Sequence, residues 1–280
     1  MEKITDILQQ HNFQFKKNFG QNFITDKNLL QSIVHLSGID KTSTVVEIGV
    51  GAGTLTAELA KQTKEVYAFE IDKSLQPILN KTLQEFNNIH LQFIDFLKLD
   101  FQKFEQEVPP YIVVANLPYY ITTPLIMQFI EESVKVQKLY VMVQLEVAER
   151  ICSTENCADY GAITAILAQC CSARIVKKVP KQLFTPMPKV DSAILELIYI
   201  PNKIPVHNLQ FYKKTVKAAF SNRRKMLVNN LQQAFSLTKE ECINLLQEVD
   251  LPATIRGEAV SPIQFAKLAD ILFMYVTKKD

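Results

Sequence analysis

Asn116-Leu117-Pro118-Tyr119 is the segment of this 280-residue chain whose residue types and order most directly suggest chemistry. An amide side chain, the next backbone carbonyl, a proline and an aromatic ring make a seat for a planar base bearing an exocyclic amine. Such an amine is a poor nucleophile, because its lone pair is delocalised into the ring. If the Asn116 side-chain oxygen and the Leu117 carbonyl accept its two N–H bonds, the nitrogen is drawn towards tetrahedral geometry. Its lone pair then becomes available to attack a methyl group. Pro118 fixes the turn and offers no competing N–H, and Tyr119 can stack on the base, a contact worth roughly 1–3 kcal/mol. The amine becomes acidic once methylated, so positioning and electrostatics carry the rate and no strong general base is needed. An Asn-Pro turn that merely closes a strand uses the same residue types, so the reading depends on what stands beside it.

Three carboxylates stand beside it in sequence order. Glu47-Ile48-Gly49-Val50-Gly51-Ala52-Gly53 follows an apolar run and leads into a helical pattern. Its glycines let the backbone approach a ligand closely, but Thr54 occupies the place of the last glycine in a dinucleotide fingerprint. Glu47 would oppose a pyrophosphate yet suits a sulfonium or amino group. Glu70, about twenty residues after the glycines, can accept hydrogen bonds from ribose hydroxyls, and Asp95 can accept from an adenine amine. Each alone is also an ordinary surface carboxylate. Together they describe a site for an adenosine that bears no phosphate, as S-adenosylmethionine does. A base must leave its stack to reach such a pocket, and Phe184 is either the opposite face for that base or a core residue.

The elements that must position these residues alternate along the first two thirds of the chain. Thr44–Ile48, Glu65–Phe69, His90–Ile94, Tyr111–Ala115 and Leu139–Val143 read as strands, with helical patterns at Thr54–Lys61 and from Lys73 to about Phe86. Continuous apolar strands joined by helices imply a parallel sheet covered on both faces. The fold class is therefore α/β, doubly wound and Rossmann-like over residues 1–200, which the site residues above make an expected S-adenosylmethionine-dependent methyltransferase domain. Its ligands bind beyond the carboxyl ends of the strands. Pro201–Pro205 reads as a linker, and residues 201–280 as a small helical C-terminal domain. There Tyr212, Val216, Ala219 and Phe220 share one face, Lys213, Lys214 and Lys217 fall on another, and Ser261-Pro262 opens the last helix.

Composition narrows the classes. The chain is 48% hydrophobic and 21% charged, as a globular protein with a sizeable core is. No apolar run approaches the ~20 residues of a membrane-spanning helix and no signal peptide is evident, so a soluble cytoplasmic protein is expected. Five cysteines and four histidines match no metal template, so no metal is expected. The net charge of +2 says little, but basic residues cluster at Lys16-Lys17, Lys177 to Lys189 and Lys213 to Lys225. Such runs are either solvated faces or nucleic-acid contacts.

Taken in order, Phe19-Gly20-Gln21-Asn22-Phe23, the Glu47–Gly53 turn, Phe69-Glu70-Ile71-Asp72, Asp95 and Asn116–Tyr119 form a series. Pro188-Lys189-Val190-Asp191-Ser192, Asn222-Arg223-Arg224-Lys225-Met226-Leu227 and Arg256-Gly257-Glu258 continue it. This series resembles the KsgA/RsmA family of ribosomal RNA small-subunit adenine dimethyltransferases, from about Phe15 to the last helix. The resemblance implies that Asn22, the backbone at Ile24, Gly49, Glu70, Asp95 and Asn116 contact S-adenosylmethionine. It also implies two successive methyl transfers to each of two adjacent adenosines near the 3′ end of 16S rRNA, within an immature small subunit. Arg223, Arg224 and Lys225 are expected to bind RNA phosphates, and a monomer is the default. Val50 stands where the family often has proline, and Leu145 where it often has lysine. The related Erm group, acting on large-subunit RNA, shares the catalytic motifs; the C-terminal motifs favour the small-subunit branch. A ribosome-assembly factor that keeps the fold without chemistry is the remaining alternative, while an NAD-dependent dehydrogenase fails on glycine spacing.

Overall fold

The computed structural model describes residues 4–10, 13–16 and 19–278; Lys17 and His11 lie outside them. The chain divides into two compact units, one of residues 1–148 with 174–199 and one of residues 149–173 with 200–280.

The first unit is built on a seven-stranded sheet. Its elements in chain order begin with α1 (Ile4–Gln10), β1 (Phe23–Ile24), α2 (Lys27–Ser37), β2 (Thr44–Ile48) and α3 (Thr54–Gln62). There follow β3 (Glu65–Glu70), α4 (Gln76–Thr82), β4 (Ile89–Phe93), α5 (Phe101–Glu107), β5 (Tyr111–Asn116), α6 (Thr122–Glu132), β6 (Val136–Gln144) and α7 (Leu145–Ile151). After α8 (Ala162–Cys170) come β7 (Cys171–Val179), β8 (Phe184–Thr185) and β9 (Ser192–Tyr199). The strand order is β4-β3-β2-β5-β6-β9-β7. The five strands read from sequence are parallel, as expected. β9 runs antiparallel to β6, which makes the sheet mixed. The order reverses between β2 and β5, so the loops leaving those two strands open a crevice at the carboxyl edge, where doubly wound sheets bind ligands.

β2 is buried along its whole length, Glu47 included. A strand covered on both faces gains its stability from apolar burial, and a carboxyl group there needs another explanation. The helical stretch expected to reach Phe86 ends at Thr82. The chain turns there through Leu83 and Phe86, and the Asn88 amide donates to the Ala60 and Thr63 carbonyls.

The second unit collects α8 with α9 (Leu209–Ala219), α10 (Leu227–Phe235), α11 (Lys239–Gln247) and α12 (Pro262–Thr277). This differs from the division at residue 200. α8 is apolar around nearly its whole circumference, so it needs helices on several sides, and α9 and α12 pack against it. The Tyr212 hydroxyl donates to the Ala165 carbonyl at 2.8 Å, and that of Tyr160 to the Val260 carbonyl at 2.9 Å. Residues 200–205 are no free linker either: Ile200 and Ile204 N–H donate to the Cys170 and Gln169 carbonyls. On α9, Tyr212, Val216 and Ala219 are buried as expected, but Lys213 is turned inward with only 4% exposed. α12 is capped by Ser261 and Gln264, each side chain bonded to the other's backbone N–H. Among the described residues no helix is long and apolar enough to cross a membrane, and no group of three or more His, Cys, Asp or Glu could hold a metal.

Candidate active site

A cleft of about 360 Å³ lies at the crevice between β2 and β5, within the first unit, inside the usual size range for small-molecule sites. Asn22, Ile24, Gly49, Glu70, Asp95 and the segment from Asn116 to Tyr119 all line it. The sequence-derived set thus converges on one place, with Phe184 as the exception. Phe184 is 3% exposed, packs in the core and pairs across β8 with Ile24 of β1; its ring does not line the cleft.

The glycine turn between β2 and α3 is held from within. Gly51 has a φ of 58°, a left-handed conformation that disfavours side chains, and a Cβ there would stand 2.9 Å from the Phe23 ring. Its N–H donates to Glu70 Oε2 at 2.8 Å, while Glu70 Oε1 accepts from the Ile71 and Asp72 N–H groups at 2.9 Å. A carboxylate offers about four lone-pair positions. Three are filled by backbone, so Glu70 in this rotamer has room for one further donor rather than two. Burial raises the Glu70 pKa above the ordinary carboxylate value, against the opposing pull of those three N–H groups.

Glu47 is 1% exposed and lines the same cleft. Burial, with the Glu70 charge adding to it, pushes its pKa up to about 8 against the influence of the Thr56 hydroxyl. Glu47 Oε2 and Thr56 Oγ1 nonetheless find no hydrogen-bond partner among the described residues. Buried polar atoms are seldom left so, and in a cleft such an oxygen can be met by a ligand group or by a water.

Asn116 ends β5. Its side-chain N–H donates to the Asn22 carbonyl at 2.9 Å, and the Asn22 amide donates in turn to the Gly20 carbonyl at 3.1 Å. With the nitrogen end engaged, the amide has a set direction, and its oxygen is the end left to accept from a substrate. Pro118 packs 3.4 Å from where a Gly49 Cβ would be, which brings the acceptor loop against the glycine turn. The Tyr119 hydroxyl bonds Ser192 Oγ at 2.8 Å, fixing the ring from its far end, and burial raises its pKa. Asp95 caps the turn after β4 by accepting from the Leu97 N–H at 3.2 Å.

Two features escaped the sequence reading. Asp72, 2% exposed, takes the Lys16 ammonium at 2.7 Å and the Gln21 amide at 2.9 Å, fastening the segment before β1 to the end of β3. Burial pushes the Asp72 pKa up, but the Lys16, Ser74 and Gln21 hydrogen bonds together outweigh it and hold it below the ordinary value. Tyr120 also lines the cleft with 54% of its surface exposed. The doubled tyrosine after Pro118 was its only signal.

In the second unit Arg223, Arg224 and Lys225 are all exposed. Arg223 is partly committed: it donates to the Ala158 carbonyl at 2.8 Å and stands 3.5 Å from Glu258. Gly257 sits so close to the end of α9 that a Cβ would fall 2.7 Å from the Ala219 carbonyl oxygen.

Comparison with known proteins extends over both units. The family model described as ribosomal RNA adenine dimethylase matches residues 12–272. The ribosomal RNA small subunit methyltransferase A of Lactococcus lactis is 44% identical over 273 residues, covering 95% of this chain and 93% of that protein. A dimethyladenosine transferase from Plasmodium falciparum shares the fold, with a TM-score of 0.76 at 24% identity, over 91% of this chain and 97% of the other. The 23S rRNA methyltransferase ErmE aligns with a TM-score of 0.67 at 26% identity, over 90% of this chain and all of that one. The chain belongs to the ribosomal RNA adenine dimethylase family.

Proposed function

We propose that this protein transfers methyl groups from S-adenosylmethionine to the exocyclic amines of two adjacent adenosines near the 3′ end of 16S rRNA. The substrate is the immature small ribosomal subunit, and the product is dimethyladenosine. The observation that carries this reading is the Asn116 amide, aimed by its bond to the Asn22 carbonyl, in the same cleft as Glu47, Glu70 and Asp95. The 44% identity to a small-subunit methyltransferase supports the choice of RNA.

The donor chemistry of the cleft fits the cofactor. Among the described residues its wall carries three carboxylates and no lysine, arginine or histidine, which suits a ligand with cationic groups and no phosphate. Glu70 retains capacity for a ribose hydroxyl, Asp95 for an adenine amine, and the unpartnered oxygen of Glu47 for a positive group. The bound cofactor supplies an electrophilic methyl group. Asn22, the Ile24 backbone and Gly49 complete the wall that orients it.

The residues of this chain do the rest. The Asn116 oxygen and the Leu117 carbonyl accept the two N–H bonds of the adenine amine and turn its lone pair outward. Tyr119, held by Ser192, supports the ring by stacking. The nitrogen gives up a proton to water after each transfer, and catalysis resides in position and electrostatics. Phe184 stands in the core in register with Ile24 of β1. Arg223, Arg224 and Lys225 contribute phosphate contacts from the second unit.

The deciding experiment incubates the protein with separated immature subunits and tritiated cofactor. Label released from small subunits as dimethyladenosine is the expected result. Label on the large subunit instead would place the protein with the ErmE-like activity, and none on either would remove the catalytic reading.

A further inference from the structure

The glycine turn has the form that, in dinucleotide-binding sheets, presents backbone N–H groups to a pyrophosphate. Here the three glycine N–H groups are already taken. The Gly49 N–H donates to the Phe69 carbonyl at 2.8 Å, that of Gly53 to the Val50 carbonyl at 3.0 Å, and that of Gly51 to the Glu70 carboxylate at 2.8 Å. The third partner differs in kind from the others, because it is an anion. Glu70 reaches back from the end of β3, 5% exposed, and sits where it engages the turn as a bound phosphate would. Nothing cationic among the described residues lines the cleft to offset it, and Asp95 adds a second carboxylate.

We propose that Glu70, by engaging the glycine turn as an internal anion, excludes phosphorylated adenine nucleotides, so that the cleft takes neutral or cationic adenosines and rejects AMP, ADP and ATP. This rests on the cofactor reading above and adds its selectivity. A phosphate brought to the turn meets a buried carboxylate at close range and finds the three glycine N–H groups already engaged. An adenosine carrying a sulfonium and an ammonium group meets attraction at the same place. The filter is made of the residue that also serves the ribose.

The test is displacement of labelled S-adenosylmethionine by adenosine and by ADP on the wild-type protein, on Glu70→Ala and on Glu70→Gln. In the wild type, adenosine should compete about tenfold or more effectively than ADP, and salt should change the gap little because the carboxylate is buried. Glu70→Ala frees the Gly51 N–H and removes the charge, so ADP should draw level with adenosine or pass it. Equal competition by ADP and adenosine in the wild type would overturn the proposal. So would a gap that neither substitution alters in a variant whose circular dichroism shows it folded. If Glu70→Ala does not fold, Glu70→Gln, which loses the charge but keeps the shape, decides. If S-adenosylmethionine itself does not bind, the cofactor reading falls, and direct calorimetric titration of adenosine against ADP still decides this one.

Discussion

The cleft of the first unit is walled by Glu47, Glu70 and Asp95 with no cationic side chain, whereas the 222–225 turn of the second unit exposes Arg223, Arg224 and Lys225. On the proposed function the two regions meet different parts of nucleotides, and the parts call for opposite charge. A cleft that must hold an adenosine without phosphate, and a base presented by its amine, gains from carboxylates and oriented amides. A surface that meets an RNA backbone gains from cations, and counterion release makes its affinity fall with salt. On the proposed reading, specificity for the reacting atom and affinity for the polymer are carried by different chemistries.

The first way to break this comparison is Asn116→Ala. Losing the oriented acceptor should lower methyl transfer by about 10²–10³-fold, the scale seen when one preorganised transition-state contact is removed. Cofactor affinity should fall far less. Tritiated-methyl incorporation at saturating cofactor measures it, and unchanged turnover would take Asn116 out of the chemistry.

The second concerns Glu47, whose pKa of about 8 lies above the ordinary 4.5. The folded, ligand-free protein keeps this proton while the unfolded chain releases it above about pH 4.5. Stability from Glu47 is therefore fully present at low pH and is lost as pH rises through 8, at up to about 1.4 kcal/mol per pH unit. Thermal melts between pH 5 and 8 should show a steeper decline for wild type than for Glu47→Gln; parallel curves would contradict the raised value.

The third tests the other region. Gly257→Ala places a methyl 2.7 Å from the Ala219 carbonyl, and such overpacking costs roughly 1–3 kcal/mol. A lowered Tm with little change in cofactor affinity is expected. The smallest effect sharpens the role of the basic turn. Neutralising Arg224 and Lys225, which have no side-chain partner among the described residues, should reduce the slope of log affinity against log salt by roughly 0.7–0.9 per contact. Arg223→Gln should cost stability as well, because Arg223 bonds the Ala158 carbonyl. An unaltered slope in the Arg224 and Lys225 variant would make the turn a solvated face.

Much of the first unit was legible because its signals are local. Apolar runs mark β2 to β6, and a carboxylate or amide placed just after each run lands on the same rim once the strands are parallel. β7 and β9 were not read, since their roles depend on the pairing of β9 with β6 and of β7 with β9, and on burial that no local pattern specifies. The second unit was legible only in part. α8 lies 39 residues from α9 in the chain, counting from Cys170 to Leu209, and its membership follows from an apolar surface that only other helices can cover. Lys213 could not be placed either, because its helical position reads as exposed.

The residue types themselves suggested the chemistry: Asn116 to Tyr119, Glu70 and Asp95 supply the acceptors and the ring that an adenosine and an amine would need. What tertiary structure alone decided is how those groups are spent. Asn116 has one end tied to Asn22, Glu70 has three of its lone pairs on backbone, Glu47 keeps an oxygen without a partner, and Phe184 lies in the core. Hydrogen-bond capacity is a property of the side chain, but what remains of it for a ligand depends on neighbours far apart in the chain, and only folding brings them within reach.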